Sequence, residues 1–180
     1  APRPINLGEL VHNMLDLLER SIGPTVTIET RVTARLTPVL ADQNQLEMAL
    51  VNLVVNARDA MPLGGAIHIA ATQETVAADH PTGLAPGGYV RLSVRDEGEG
   101  MDAETLAHAI EPFFTTKGIG KGTGLGLPMV HGMAEQIGGR FELKSAKDRG
   151  TEAVLWLPLA TGEPAAAEES KAAAAAGRRG

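Results

Sequence analysis

The chain has 180 residues, a formal net charge of −6 and no cysteine. That length accommodates one domain with a sizeable core. The acidic balance argues against nucleic acid as a partner, and without thiols there is neither a disulfide framework nor a thiolate metal site.

Aromatic residues make up only 3% of the chain, so the core must be aliphatic. No apolar run is long enough to span a bilayer and no signal peptide heads the sequence. The expectation is a cytoplasmic module without direct membrane contact, whether or not its parent protein is anchored. The first residue is Ala, not Met, which reads as a piece of a longer protein.

In chain order, apolar residues at Leu7, Leu10, Val11, Met14, Leu17 and Leu18 repeat with a helical period. The β-branched alternation of TVTIETRV predicts a strand. Asp42 is the expected N-cap of a long helix reaching Met61, stopped by Pro62 and Gly64-Gly65. GAIHIAATQ and GYVRLSVRD predict two more strands, separated by a Pro- and Gly-rich loop over 79–88. A short helix is expected near 102–110, and another from Leu125 to Ile137, stopped by Gly138-Gly139. RFELKS and TEAVLWLP predict a closing hairpin. The expected fold class is α+β: a mixed sheet of about five strands with hairpins at both ends and helices on one face. Residues 1–160 form the expected domain, and the Ala-rich 161–180 stretch a linker or tail.

Three places carry polar chemistry. On the long helix, Asn52, Asn56 and Asp59 fall at i, i+4 and i+7, a narrow polar line among apolar residues. Such a line can simply face water, but Asn is a mediocre helix former because its amide competes for backbone bonds. A neutral amide oxygen beside a carboxylate also suits Mg²⁺, a hard cation that keeps waters and phosphate oxygens as ligands. In YVRLSVRD, Val90, Leu92 and Val94 alternate with Arg91, Ser93 and Arg95, giving a core face and a wet face. Asp96 falls in phase with the valines. A buried carboxylate must be paired. Two readings stand: a turn-starting Asp satisfied by the amides of Gly98 and Gly100, or an acceptor for a ligand donor such as a purine amine.

The third place is EPFFTTKGIGKGTGLGLPMV, where Gly118, Gly120, Gly122, Gly124 and Gly126 alternate. The spacing fits neither a Walker phosphate loop nor a dinucleotide fingerprint. The glycines run into a helix with Pro128 in its first turn, where a missing N–H costs nothing, and free amides at such an end attract anions. The alternative is a plain surface loop, against which stand two of the three phenylalanines, Phe113 and Phe114.

Taken in order, Asn52-x-x-x-Asn56-Ala-x-x-Ala60, Asp96-x-Gly98-x-Gly100-Met101, Glu111-Pro-Phe113-Phe114-Thr-Thr-Lys117 and Gly122-Thr-Gly124-Leu-Gly126-Leu resemble the N, G1, F and G2 boxes of sensor histidine kinases. Gly150-Thr151 is similar to the last, smaller glycine box. The resemblance covers residues 5–159 and points to the catalytic and ATP-binding domain of the GHKL superfamily, in the nitrogen- and oxygen-sensing or hybrid subgroup. It implies the Bergerat fold, a two-layer α/β sandwich of about five strands on three helices.

Carried over, the resemblance gives Asn56 the Mg²⁺ ion, with Asn52 beside it as the other catalytic amide. It gives Asp59, Ala60, Asp96, Gly98, Gly100, Met101 and Thr151 to the nucleotide, Asp96 meeting the adenine amine directly and through a water shared with Thr151. Gly122, Thr123, Gly124, Leu125, Gly126 and Leu127 become the ATP lid, whose missing side chains let backbone amides approach a triphosphate. Lys117 and Arg58 are further phosphate contacts. The implied cofactors are ATP and Mg²⁺.

The implied partners are an upstream dimerisation domain carrying the phosphoacceptor His, and a response regulator receiver domain. None of His12, His68, His80, His108 and His131 stands in an H-[DE]-x-[RK]-x-P context, so the acceptor is expected outside this chain. An ATP-hydrolysing relative of gyrase or the heat-shock chaperones would carry Glu at position 52 to activate water; here Asn52 has no basic group. A protein-interaction module that no longer binds ATP is the remaining alternative, opposed by intact Asn56, Asp96 and Gly122–Gly126.

Overall fold

The N-terminal helix begins where Asn6 accepts the Glu9 backbone N–H at 3.0 Å, satisfying one of the donors that a helix leaves open at its start. The computed structural model describes residues 2–109 and 126–160. Within them the elements run β1 (Arg3–Ile5), α1 (Leu7–Ile22), β2 (Val26–Val32), β3 (Val39–Ala41), α2 (Gln43–Asp59), β4 (Gly65–Val76), β5 (Gly87–Asp96), α3 (Ala103–His108), α4 (Gly126–Gln136), β6 (Arg140–Ser145) and β7 (Thr151–Pro158).

α1 buries Leu7, Leu10, Val11, Met14, Leu18 and Ile22, the stripe expected of a 3.6-residue period. Leu17 lies at the edge of that stripe and is half-exposed. Asp42 caps α2 by accepting the Gln45 N–H at 3.0 Å, as its place in the sequence predicts. α2 buries Leu46, Ala49, Leu50, Leu53, Val54 and Ala57. It stops two residues short of Met61. Ala60 closes it, and buried Met61 turns back to bond the Arg58 carbonyl at 2.9 Å.

The main sheet has five strands in the order β2-β4-β5-β7-β6. The expected closing hairpin is present: β6 pairs antiparallel with β7. The other end of the sheet differs from expectation. β2 pairs parallel with β4, Val26 opposite Gly65 through Val32 opposite Ala71. Parallel neighbours need a long crossover, and the chain through α2 supplies it. The β4–β5 hairpin therefore sits inside the sheet. β1 and β3 form a separate two-stranded sheet. Three-residue strands show no period to read, and neither is predicted by the sequence pattern.

Helices cover one face, where Ile67, Ile69, Val90, Leu92, Leu155 and Leu157 meet Leu46, Leu50 and Val130 in one core. The opposite face is drier than its Arg91-Ser93-Arg95 pattern predicts. Val76, Leu84, Tyr89, Val154 and Trp156 form a second cluster there, and Ser93 is buried as well. The 77–86 loop closes over this end, held by Tyr89 Oη donating to the Ala85 carbonyl at 2.7 Å and His80 standing edge-on to Trp156.

Candidate functional site

Asp96 ends β5 and is only 4% exposed. Its Oδ1 accepts the Gly98 N–H at 2.9 Å and the Thr151 N–H at 3.3 Å. The turn-starting role is thus real, with Thr151 rather than Gly100 as second donor. Both donors use the same oxygen, and no hydrogen bond to Oδ2 is found among the described residues. Burial pushes the Asp96 carboxyl above the ordinary carboxylate range, against the lowering effect of the two amides. The ionised form is therefore held at a cost that a donor at Oδ2 would relieve.

The turn after Asp96 is fastened to the end of α2. The Glu99 N–H donates to the Ala60 carbonyl at 3.0 Å, and a Cβ on Gly98 would stand 2.1 Å from that oxygen. This close approach explains why position 98 lacks a side chain. It also sets the C-terminal end of the Asn52-Asn56-Asp59 line beside the Asp96 turn. On the other side, Gly100 takes a φ of +64° and its missing Cβ would meet the Ala146 carbonyl. The Asp148 N–H donates to the Glu99 carbonyl at 2.6 Å. The β6–β7 turn and the 97–101 turn are thereby one unit.

Asn52, Asn56 and Asp59 are all partly buried on α2. A Cβ on Gly126 would lie 3.5 Å from Asn52 Oδ1, so Asn52 borders the first turn of α4. Leu127 packs on the main core. Arg58, expected near phosphates, is spent differently: Nε and Nη2 donate to Asp59 Oδ1 at 3.0 and 2.7 Å, and Nη1 to the Ser21 carbonyl at 2.9 Å. It ties the ends of α1 and α2 together. Met101 offers its N–H to Ser145 Oγ at 2.8 Å. Lys117, Gly122, Thr123, Gly124 and Leu125 lie outside the described residues, as do Glu111, Phe113 and Phe114.

Ser145 escapes the motif reading. It stands in phase with Phe141 and Leu143 on β6, the same signal that singles out Asp96 on β5. Among the described residues no group of three His, Asp or Glu side chains could hold a metal ion. Only an ion drawing most of its ligands from phosphate and water fits the amide oxygens of the polar line. An open groove of about 720 Å³ runs between α1 and α2, lined by Met14, Leu17, Met48, Val51 and Asn52 among others. Its lining is mixed, with Asn13, Asn44 and Glu47 beside these residues. No helix among the described residues is long and apolar enough to cross a membrane.

Residues 41–161 match the family described as histidine kinase-, DNA gyrase B-, and HSP90-like ATPase. The chain is 41% identical over 180 residues to the sensor kinase CckA of Brucella abortus, covering 94% of this chain and 19% of that protein. It is 34% identical over 161 residues to the sensor histidine kinase ZraS of Escherichia coli K12, covering 88% and 31%. The chain thus spans less than a third of either relative. The catalytic domain of the histidine kinase ThkA superposes with a TM-score of 0.67 at 26% identity, over 91% of this chain and 99% of that one. Full-length ShkA, solved in complex with AMPPNP, gives 0.68 at 27% identity, over 87% and 31%.

Proposed function

The chain belongs to the histidine kinase-, DNA gyrase B- and HSP90-like ATPase family and has the fold of a sensor histidine kinase's ATP-binding catalytic domain, and on that premise we propose that it positions Mg-ATP for phosphoryl transfer to a histidine on a dimerisation domain. The observation that carries this reading is Asp96, whose Oδ1 is held by two backbone amides while Oδ2 lacks a partner among the described residues. A carboxylate so pinned is a preorganised acceptor for an exocyclic amine, as adenine has. Asp59, Ala60, Gly98, Gly100, Met101 and Thr151 surround it in the assignment, and Gly122, Gly124 and Gly126 serve the phosphates.

Asn56 is the protein's ligand to Mg²⁺, which neutralises charge on the phosphates when bound. Asn52, next to the start of α4, orients the same end of the nucleotide. An amide at 52 lacks the basic group that a water-activating ATPase needs, which favours transfer to a protein acceptor over hydrolysis. The receiver domain of a response regulator would take the phosphoryl group onward, in the cytoplasm.

Calorimetry of the 180-residue chain with Mg-ATP tests the assignment. Asp96→Asn keeps an oxygen for both backbone amides and presents NH₂ where Oδ2 was, so the fold should persist. Donor facing donor should cost roughly 1.5–3 kcal/mol of binding, about tenfold to a hundredfold in Kd. Unchanged affinity in the folded variant would remove Asp96 from the nucleotide site.

A further inference from the structure

The helix-bearing face of the sheet stays apolar along β5, β7 and β6 until its final row. There Asp96 pairs with Thr151, and Thr151 with Ser145, across three adjacent strands. Directly opposed residues of antiparallel strands point to the same face, so the three side chains form one polar row. Asp96 and Thr151 have a place in the nucleotide reading. Ser145 has none.

The hydroxyl of Ser145 has one proton to give and two lone pairs to accept with. The Met101 N–H donates to Oγ at 2.8 Å. The Gly150 carbonyl, 3.0 Å from Oγ, can only accept, so this contact uses the serine proton. Thr151 Oγ1 lies 2.8 Å away. With the serine proton committed, that contact must be made by the proton of Thr151. Ser145 is then saturated, and Thr151 has only lone pairs left to show a ligand. The ionised Asp96, its neighbour in the row, is likewise acceptor-only.

Resting on the reading of this row as the base site, we propose that Ser145 is a positioning residue that fixes the polarity of Thr151, so that the row selects a 6-aminopurine over a 6-oxopurine. An exocyclic amine brings hydrogens to a row of acceptors. A 6-oxopurine brings a carbonyl oxygen to the same place, lone pair against lone pair. Because Ser145 also holds the Met101 turn, its loss weakens any nucleotide to some degree; a purely structural part would weaken amino and oxo purines alike. A part in polarity changes their ratio.

The test is calorimetry of the full 180-residue chain with Mg-ATP and with Mg-inosine triphosphate, in wild type, Ser145→Ala and Ser145→Thr. In Ser145→Ala the Thr151 proton is released to rotate and donate, and the ATP-to-ITP affinity ratio should fall by about tenfold, the worth of one hydrogen bond reversed. Ser145→Thr keeps the hydroxyl and should keep the ratio. Thermal melts establish that each variant folds; if Ser145→Ala does not, Ser145→Cys, with its weak S–H donor, should lower the ratio in the same direction. An unchanged ratio in a folded Ser145→Ala, or equal weakening of both nucleotides, overturns the selection role while leaving the nucleotide site standing. A wild type that binds neither nucleotide overturns the nucleotide reading itself.

Discussion

At the scale of single residues, Asp96 divides its work between two oxygens. Oδ1 builds the turn through Gly98 and Thr151, and Oδ2 is the oxygen that the proposal gives to the ligand. The division has a pH signature. With its carboxyl raised by burial, the native chain holds this proton more tightly than the unfolded chain does, so this group's contribution makes stability fall as pH rises from 3.8 through the raised native value. Asp42 and Asp102 act in the opposite sense. Each is lowered first by a backbone N–H, from Gln45 and Thr105, and their stabilisation is present above 3.8 and lost as pH falls. Comparing melting temperatures of wild type and Asp96→Asn without nucleotide isolates the first effect. The variant should gain on wild type as the pH is taken from acid towards neutral; a difference that stays flat would mean that the carboxylate is not held at a cost. Asn56→Ala separates metal from packing. Affinity for Mg-ATP should fall by about tenfold or more, the loss of one polar ligand, while affinity for metal-free nucleotide changes little. Equal losses would make the polar line a packing feature. Asp96 is legible in the sequence because it stands in phase with Val90, Leu92 and Val94. Its second amide donor is not, because Thr151 reaches it only through a strand pairing 55 residues apart in the chain.

At the scale of elements, the long helix reads from the sequence almost to its ends, since the cap, the apolar stripe and the stop signals at Pro62 and Gly64-Gly65 are all local. What the pattern omits is long-range. The parallel docking of β2 on β4 depends on the crossover through α2, and β1 and β3 are too short to show alternation. The dry end of the far face depends on the 77–86 loop folding onto Trp156, which no alternation within β5 encodes. The junction of α2 with the 97–101 turn is also invisible locally, yet it brings two motifs together. Its tolerance is small: a methyl group at position 98 would collide with the Ala60 carbonyl. Gly98→Ala should therefore cost about 1–3 kcal/mol of stability, the usual penalty of overpacking, and weaken Mg-ATP binding as the Asp96 turn moves off α2. Chemical denaturation and calorimetry read the two effects. A variant as stable as wild type would show that the junction is loose, and that the glycine serves only the turn.

At the scale of the whole molecule, the chain has a proposed base site at Asp96, a polar line and a glycine-rich segment, but no histidine in an acceptor context. His68 approaches Glu29 at 3.8 Å on β2 and β4, and His80 is held by Thr82 Oγ1 at 2.8 Å under the far face. Both are engaged structurally: His68 stands opposite Arg95, next to Asp96 along the sheet but on the other face. Phosphoryl transfer is mostly a matter of placing the acceptor in line with the γ-phosphate, and position 52 offers no base to make water that acceptor. Incubated with γ-labelled ATP and Mg²⁺, the 180-residue chain should stay unlabelled and release phosphate slowly. Adding a separate helical domain that carries the acceptor histidine of its parent kinase should give label on that domain alone. The bond formed then distinguishes the readings: phosphohistidine is lost in acid, whereas phosphoserine survives. Brisk hydrolysis by the chain alone would move the assignment to the ATP-hydrolysing members of the family, and the amide at 52 would then need another group to activate water. Acid-stable label on this chain would make it a serine kinase. Acid-labile label confined to the added domain is the outcome that the proposed roles of Asp96 and of the amides on α2 lead one to expect.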